Sequence, residues 1–312
     1  MHKLGGLIFY TQMIFDKPHL SVDEQIELLI QRKLIIENKD TAFKFLTNIS
    51  YYRLSAYAYH FRENINGSYI FAEGTTFEKV LKLYFFDREL RMLIFDMIER
   101  IEISFRTQIS YHYSLNNPWW FEQIDNFQKK RLFVNDLNKI YAEIDRSKEP
   151  FIKEYKRRYT SPELPPSWMT MEVFSMGLLS KIYSNLTASR IKNDIAKHFK
   201  IHRPDTFESW MHCLTHVRNI CAHHCRVWDR TLTVSPKFPR ITANQWLVNT
   251  TVEPTKLYAF LSCALYLLKV INPNTHFVNK FNELAAEGEV NLQIMGFPEN
   301  WREEPLWQPN LH

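Results

Sequence analysis

Glycine is scarce in this chain, with seven residues among 312 where roughly 7% is usual. An all-β protein with many tight turns needs positive-φ positions that glycine fills most easily, so the shortage argues against that class and for long helices with few turns. Cysteine is also rare: Cys213, Cys221, Cys225 and Cys263 are the whole set. The start MHKLGGLIFYTQMIF has no small-residue cleavage site, so no signal peptide is expected, and a reduced cytoplasmic setting fits the thiols. Nor is there a long apolar run. The most hydrophobic stretch, Leu257 to Ile271, contains Ser262 and Lys269 and falls short of the ~20 residues that span a bilayer. It reads as a buried helix, with no membrane partner.

What is present belongs to a folded protein. Hydrophobic residues make up 45% and charged residues 23% of the chain, close to globular averages, so bulk disorder is excluded. The formal net charge is only +5, but it is localised. Between Phe127 and Thr160 stand ten Lys or Arg against five acids, an excess equal to that of the whole chain. Lys129, Lys130, Arg131, Lys156, Arg157 and Arg158 are the candidate RNA contacts, interleaved with Tyr141, Phe151, Tyr155 and Tyr159. Cations can meet phosphates and rings can stack on bases. A solvated helical face is the equally balanced alternative.

Periodicity predicts the helices. Ser21-Val-Asp-Glu24 is a capping-box pattern, so a helix starts near residue 22. A short helix from Ala42 to Ile49 and the aromatic stretch at residues 51–61 follow. Asn66-Gly67 and Gly74 mark turns, making 62–75 a loop or short hairpin. Thr75-Thr-Phe-Glu78 is read as the cap of a long helix whose apolar positions, Val80 through Ile109, recur at steps of three, four or seven as far as Ser114. Ser161-Pro-Glu-Leu-Pro-Pro166 is a rigid linker, followed by helices to about Leu186, from Pro204 to Arg230, and at Leu257. The expected organisation is all-α: an N-terminal helical unit at 1–74, a helical domain at 75–271 that includes the basic segment 127–160, and an irregular surface tail at 272–312.

One segment carries chemistry. As a helix, Ser209 to Arg230 would place His212, His216, Asn219, His223, Arg226 and Arg230 on one face, opposite Trp210, Leu214, Val217 and Cys221. Solvated faces are mostly Glu and Lys, so imidazoles, an amide and guanidiniums are an unusual choice. His212 and His216 read more naturally as packing or hydrogen-bonding residues. For Arg218, Asn219 and His223, the combination suits phosphodiester chemistry on RNA. An imidazole with a pKa near ~6.5 can move the proton of a ribose 2′-OH or of the leaving oxygen. A guanidinium can hold the phosphate and its transition-state charge. No metal or other cofactor is required. A zinc site is disfavoured, because Cys221 and Cys225 lack the usual C-x2-C spacing and Cys221 sits with the apolar residues.

Arg218-Asn219-Ile-Cys-Ala-His223 resembles the R-x4-6-H signature of the HEPN ribonuclease superfamily. The longer string RNICAHHCRVWDR resembles the C-terminal hallmark of the Abi-like abortive-infection family, of the AbiD/AbiF type. DEQIELLIQRKLIIENKDTAFKFLTNISYYRLSAYAY at 23–59, FDRELRMLIFDMIERIEISFRTQISYH at 86–112 and PPSWMTMEVFSMGLLSKIYSNL at 165–186 agree in the family's order. The resemblance implies a HEPN-type helical bundle, a role in phage defence or toxin-like growth arrest, and RNA as substrate or regulatory partner. It also implies a composite site built from two such motifs, hence a homodimer, with Arg226 and Arg230 as further RNA contacts. Arg106 and His112 form a second R-x5-H and are the alternative half-site, although a Glu102–Arg106 ion pair explains Arg106 at least as well. The competing functional readings are a non-cleaving RNA- or nucleotide-binding module and a helical scaffold whose histidine stripe contacts another protein.

Overall fold

A computed structural model describes residues 18–65, 68–249 and 251–309. Twelve α-helices and one two-stranded sheet are described among them, so the fold is predominantly helical. The chain divides into two compact units, one ending at Tyr84 and one beginning at Phe85.

In the first unit, α1 (Val22–Gln31), α2 (Lys39–Ile49) and α3 (Tyr51–Ala58) precede a hairpin of β1 (Arg62–Ile65) and β2 (Ser68–Phe71). The capping box forms as the sequence implies. Ser21 Oγ accepts the Glu24 N–H at 3.2 Å, and Glu24 accepts the Ser21 N–H at 2.6 Å. The apolar faces of these helices supply the core, with Ile26, Leu29, Leu46 and Leu54 buried. The hairpin pairs antiparallel, Arg62 with Phe71 and Ile65 with Ser68. Its Asn66-Gly67 turn lies outside the described residues.

The long helix α4 (Phe77–Ser114) is continuous over 38 residues. Its cap lies one residue later than the sequence reading placed it. The Thr76 hydroxyl accepts the Lys79 N–H at 3.2 Å, while Thr75 is buried and its carbonyl accepts the Ile35 N–H. Leu90, Ile94, Met97, Ile98, Ile101, Phe105 and Ile109 are buried along it, which realises the apolar stripe.

The second unit continues with α5 (Lys130–Arg146), α6 (Pro150–Arg158), α7 (Ser167–Thr170), α8 (Met176–Asn185), α9 (Arg190–His198) and α10 (Pro204–Ala222). The single helix expected up to Leu186 is thus divided, and α9 had no counterpart in the sequence reading. A long irregular connection leads to α11 (Leu257–Ile271), whose residues from Leu257 to Leu268 are all buried. This central helix packs against α10, which also packs against α8 and α9.

The tail corrects the expectation of irregular chain on the surface. It contains α12 (Phe277–Gly288) and three short 3-10 turns, and Phe277, Phe281, Phe297, Trp301 and Trp307 are buried. Phe281 stacks on Phe297 at 5.1 Å and Trp307 on Tyr258 of α11 at 5.6 Å. The Trp307 indole N–H donates to Ser262 Oγ at 3.0 Å, so its one polar atom is satisfied inside the cluster. No described helix is long and apolar enough to cross a membrane.

Candidate active site at the end of α10

The motif helix begins with Pro204 at its first position and runs to Ala222, eight residues short of the expected end at Arg230. What stops it is a Schellman motif built without glycine. His223 is the C-cap, His224 takes a left-handed φ of 55°, and the His224 and Cys225 N–H groups donate to the Cys221 and Ile220 carbonyls at 2.9 and 3.0 Å. These are the two bonds that close such a terminus. A non-glycine residue in that region is conformationally costly, so neighbouring contacts must hold the turn.

Those contacts come from α4. Asp87 is completely buried and pairs with the buried Arg91 one turn away. Its Oδ1 accepts the Val227 and Trp228 N–H groups at 3.0 and 2.9 Å. A carboxylate that accepts backbone N–H groups and faces a guanidinium is well compensated for burial. Glu304 does the same at the far end of the connection, accepting the Val248 and Asn249 N–H groups at 2.6 and 3.0 Å. The segment after His223 is thereby pinned although it has no regular structure. Sequence reasoning missed Asp87; its signal was an Asp and an Arg four residues apart inside an apolar helix stripe.

The end of the helix redistributes the expected stripe. His212, His216 and Asn219 share one side of α10 with the His223 cap, but Arg226 and Arg230 lie beyond the helix. Arg226 Nε pairs with Asp229 at 2.7 Å. His216 Nε2 is 3.2 Å from the Thr233 hydroxyl, the hydrogen-bonding role the sequence favoured, and its pKa is lowered by burial and by the charges of Arg230 and His212. Asn219 and His223 are exposed and Arg218 is half-buried. Among the described residues, the side chains of these three make no hydrogen bond to one another.

Arg218 faces α4. A pocket of about 300 Å³ opens there, walled by Phe95, Ile98, Glu99, Glu102, Ile103, Arg106 and Arg218. The expected Glu102–Arg106 pair is present at 2.8 Å. Arg106 also donates to the Phe174 carbonyl at 3.2 Å, and its Nε is buried with no hydrogen-bond partner among the described residues. Burial pushes the Glu102 carboxyl up from its ordinary value, against the pull of Arg106 and Arg218. Among the described residues no hydrogen bond links Arg106 to His112. The imidazole whose surroundings it influences is His198 on α9, held below its ordinary value by burial first and then by His112 and Lys200.

The basic segment is less available than its charge implies. Arg157 and Arg158 both pair with Glu154, Lys156 with Asp145, and Lys130 with Asp125. Lys129 and Arg131 are exposed. Tyr155 is buried and donates to the Pro162 carbonyl at 2.8 Å, which removes it from any stacking role.

Cys213, Cys221 and Cys263 are buried free thiols; burial pushes Cys213 and Cys221 up to about 12. Among the described residues no group of three or more His, Cys, Asp or Glu is arranged to hold a metal.

Comparison with known proteins finds a family match. The model of a family described as Abi-like protein aligns with residues 44–229, more than half of the chain, and the aligned region ends within the RNICAHHCRVWDR string. No curated protein and no solved structure matches.

Proposed function

The chain belongs to the Abi-like protein family, and from that premise we propose that it is a metal-independent endoribonuclease of the HEPN type acting in abortive infection. The observation that carries this reading is the state of Arg218, Asn219 and His223: all within the last turns of one helix, Asn219 and His223 exposed and Arg218 half-buried, with no hydrogen bond among the three. His223 takes the proton of a ribose 2′-OH, the 2′ oxygen attacks phosphorus, and the 5′ oxygen leaves with a proton from a second imidazole. Arg218 holds the phosphate as charge builds on it, and Asn219 orients the phosphate or the imidazole. The products are a 2′,3′-cyclic phosphate and a 5′-OH.

The second imidazole comes from a second copy of the chain, because the Arg106 of the alternative half-site is already engaged by Glu102 and the Phe174 carbonyl. Light scattering should therefore give about twice the 37.5 kDa chain mass. Lys129, Lys130, Arg131, Lys156, Arg157, Arg158, Arg226 and Arg230 are the proposed contacts to the RNA backbone, and a regulatory RNA or partner protein would keep the nuclease silent before infection. The deciding experiment is cleavage of RNA by the purified chain in EDTA. Persistence with cyclic-phosphate ends, and failure on RNA carrying 2′-O-methyl at the cut site, is the expected result. Cleavage abolished by EDTA, restored by Mg²⁺ and leaving 5′-phosphates would overturn it.

A second reading, an RNA- or nucleotide-binding module that does not cut, is favoured by one observation. Five residues at about 100° each leave roughly 140° between Arg218 and His223 around the helix, and Arg218 lines the α4 pocket. RNA that binds and survives, with unchanged affinity in His223→Ala, would select this reading.

A further inference from the structure

Away from the motif, α5, α8 and α10 line a polar groove of about 640 Å³, within the ~300–1,000 Å³ range of small-ligand sites. Its walls carry three acids, and each already has a cation. Asp136 pairs with Lys139 at 3.2 Å and Asp205 with Lys237 at 3.4 Å. Glu208 pairs at 2.5 Å with Lys192, which is buried and also donates to the Leu186 carbonyl at 3.0 Å. What remains is positive. Lys129, Lys181 and His212 line the same groove, are exposed, and have no side-chain hydrogen bond or ion pair among the described residues.

Three uncommitted nitrogen-bearing side chains around a concavity whose carboxylates are neutralised make a site for an anion. Lysine ammonium groups act on phosphate as point charges. The exposed Asn135 and Ser184 add uncharged polar groups along the wall, suited to ribose hydroxyls. No Phe, Tyr or Trp is among the described residues that line the groove, so it lacks the large-ring stacking platform through which proteins hold bases. Recognition therefore falls on phosphate and sugar. His212 precedes Arg218 by six residues, roughly 240° around an ideal helix, so the groove and the motif pocket lie on different sides of α10.

We propose that this groove binds the phosphate–ribose portion of a nucleotide or of an RNA strand, with Lys129, Lys181 and His212 as its phosphate contacts. It does so whether or not Arg218 and His223 cut RNA, and the two statements are separable because none of Arg218, Asn219 and His223 lines the groove; Lys129 is the one proposed RNA contact that does.

The test uses the full chain with three probes: AMP, adenosine, and a fluorescein-labelled U12 RNA bearing 2′-O-methyl groups so that it cannot be cleaved. Wild type should bind AMP at least tenfold more tightly than adenosine. K129Q/K181Q/H212Q should lose at least tenfold in affinity for AMP, for U12, or for both, with an unchanged thermal midpoint. Should that variant fail to fold, Lys181→Glu alone, at an exposed position, should still weaken binding severalfold. A loss on U12 exceeding that on AMP, with a salt slope reduced by about 1.4 for two lysines, identifies an RNA strand; a loss confined to AMP identifies a free nucleotide. Both support the site. Equal affinity for AMP and adenosine, no binding of AMP or U12 at millimolar protein, or variants that bind both as wild type does would overturn it. Loss of groove binding in a chain that never cleaves RNA leaves the groove standing and removes the nuclease.

Discussion

Two carboxylates in the second unit each face two arginines, and their pKa values move in opposite directions. Glu154 on α6 pairs with Arg157 and Arg158 at a half-exposed site, and their hydrogen bonds lower it to about 2. Glu102 on α4 faces Arg106 and Arg218, yet its pKa is raised because loss of water outweighs both guanidiniums. The same ingredients mark two kinds of region. On the basic segment, cations and acids answer one another at helical spacing and water screens what is left. Beside the motif, burial rather than charge pairing sets the carboxyl that faces Arg218.

The sharpest way to break this comparison is to remove the uncommitted residue. His223→Ala should lower RNA cleavage by roughly 10²–10⁴-fold with the fold and RNA binding intact, measured by product formation in EDTA. Cleavage at wild-type rate would place the chemistry elsewhere. Next comes the buried anchor behind the motif. Asp87→Ala removes the buried carboxylate that pairs with Arg91 and accepts the Val227 and Trp228 N–H groups, and should cost about 3–5 kcal/mol of stability in urea denaturation; a loss under about 1 kcal/mol would mean that water replaces the carboxylate.

The basic segment should respond less. With Lys156, Arg157 and Arg158 all replaced by Gln, RNA affinity should fall modestly, and its salt slope should decrease by less than the roughly 2 expected for three free cations on single-stranded RNA, because each is already paired. A full decrease would show that the pairs open for phosphate at no cost.

The smallest expected effect is the most diagnostic of sign. Because the folded-state pKa of Glu102 is raised, the native state binds its proton more tightly than the unfolded chain. Its contribution to stability is therefore largest at low pH and is lost as pH rises from the ordinary carboxylate value through the raised one. Glu154 acts in the opposite sense, its contribution being present above the ordinary value and lost as pH falls toward about 2. In Glu102→Gln the downward slope of stability as pH rises above the ordinary carboxylate value should disappear from a urea-midpoint titration. An unchanged profile would assign that slope to another group.

Helix identity was legible wherever a local rule sufficed. The Ser21 capping box, the α4 stripe, the Pro204 start of α10 and the whole of α11 follow from capping groups and periodic burial, which act over one or two turns. The Glu102–Arg106 pair followed from helical spacing alone. The end of α10 did not, because its left-handed residue is His224, held by Asp87 more than a hundred positions earlier in the chain. The buried tail was equally hidden: its aromatics are spread over Phe277 to Trp307 without a repeating period, and only α11 gives them a surface to cover.

By itself, then, the sequence determined the helical class and the family resemblance, and singled out Arg218, Asn219 and His223 as candidates, since composition, periodicity and a contiguous motif need no partner to be read. Tertiary structure decided which charges are free. Whether an arginine is neutralised, a glutamate holds its proton or a lysine faces an empty groove depends on water removed and on partners brought from distant segments, as Asp87 and Glu304 pin the chain after His223 and as Lys192 answers Glu208.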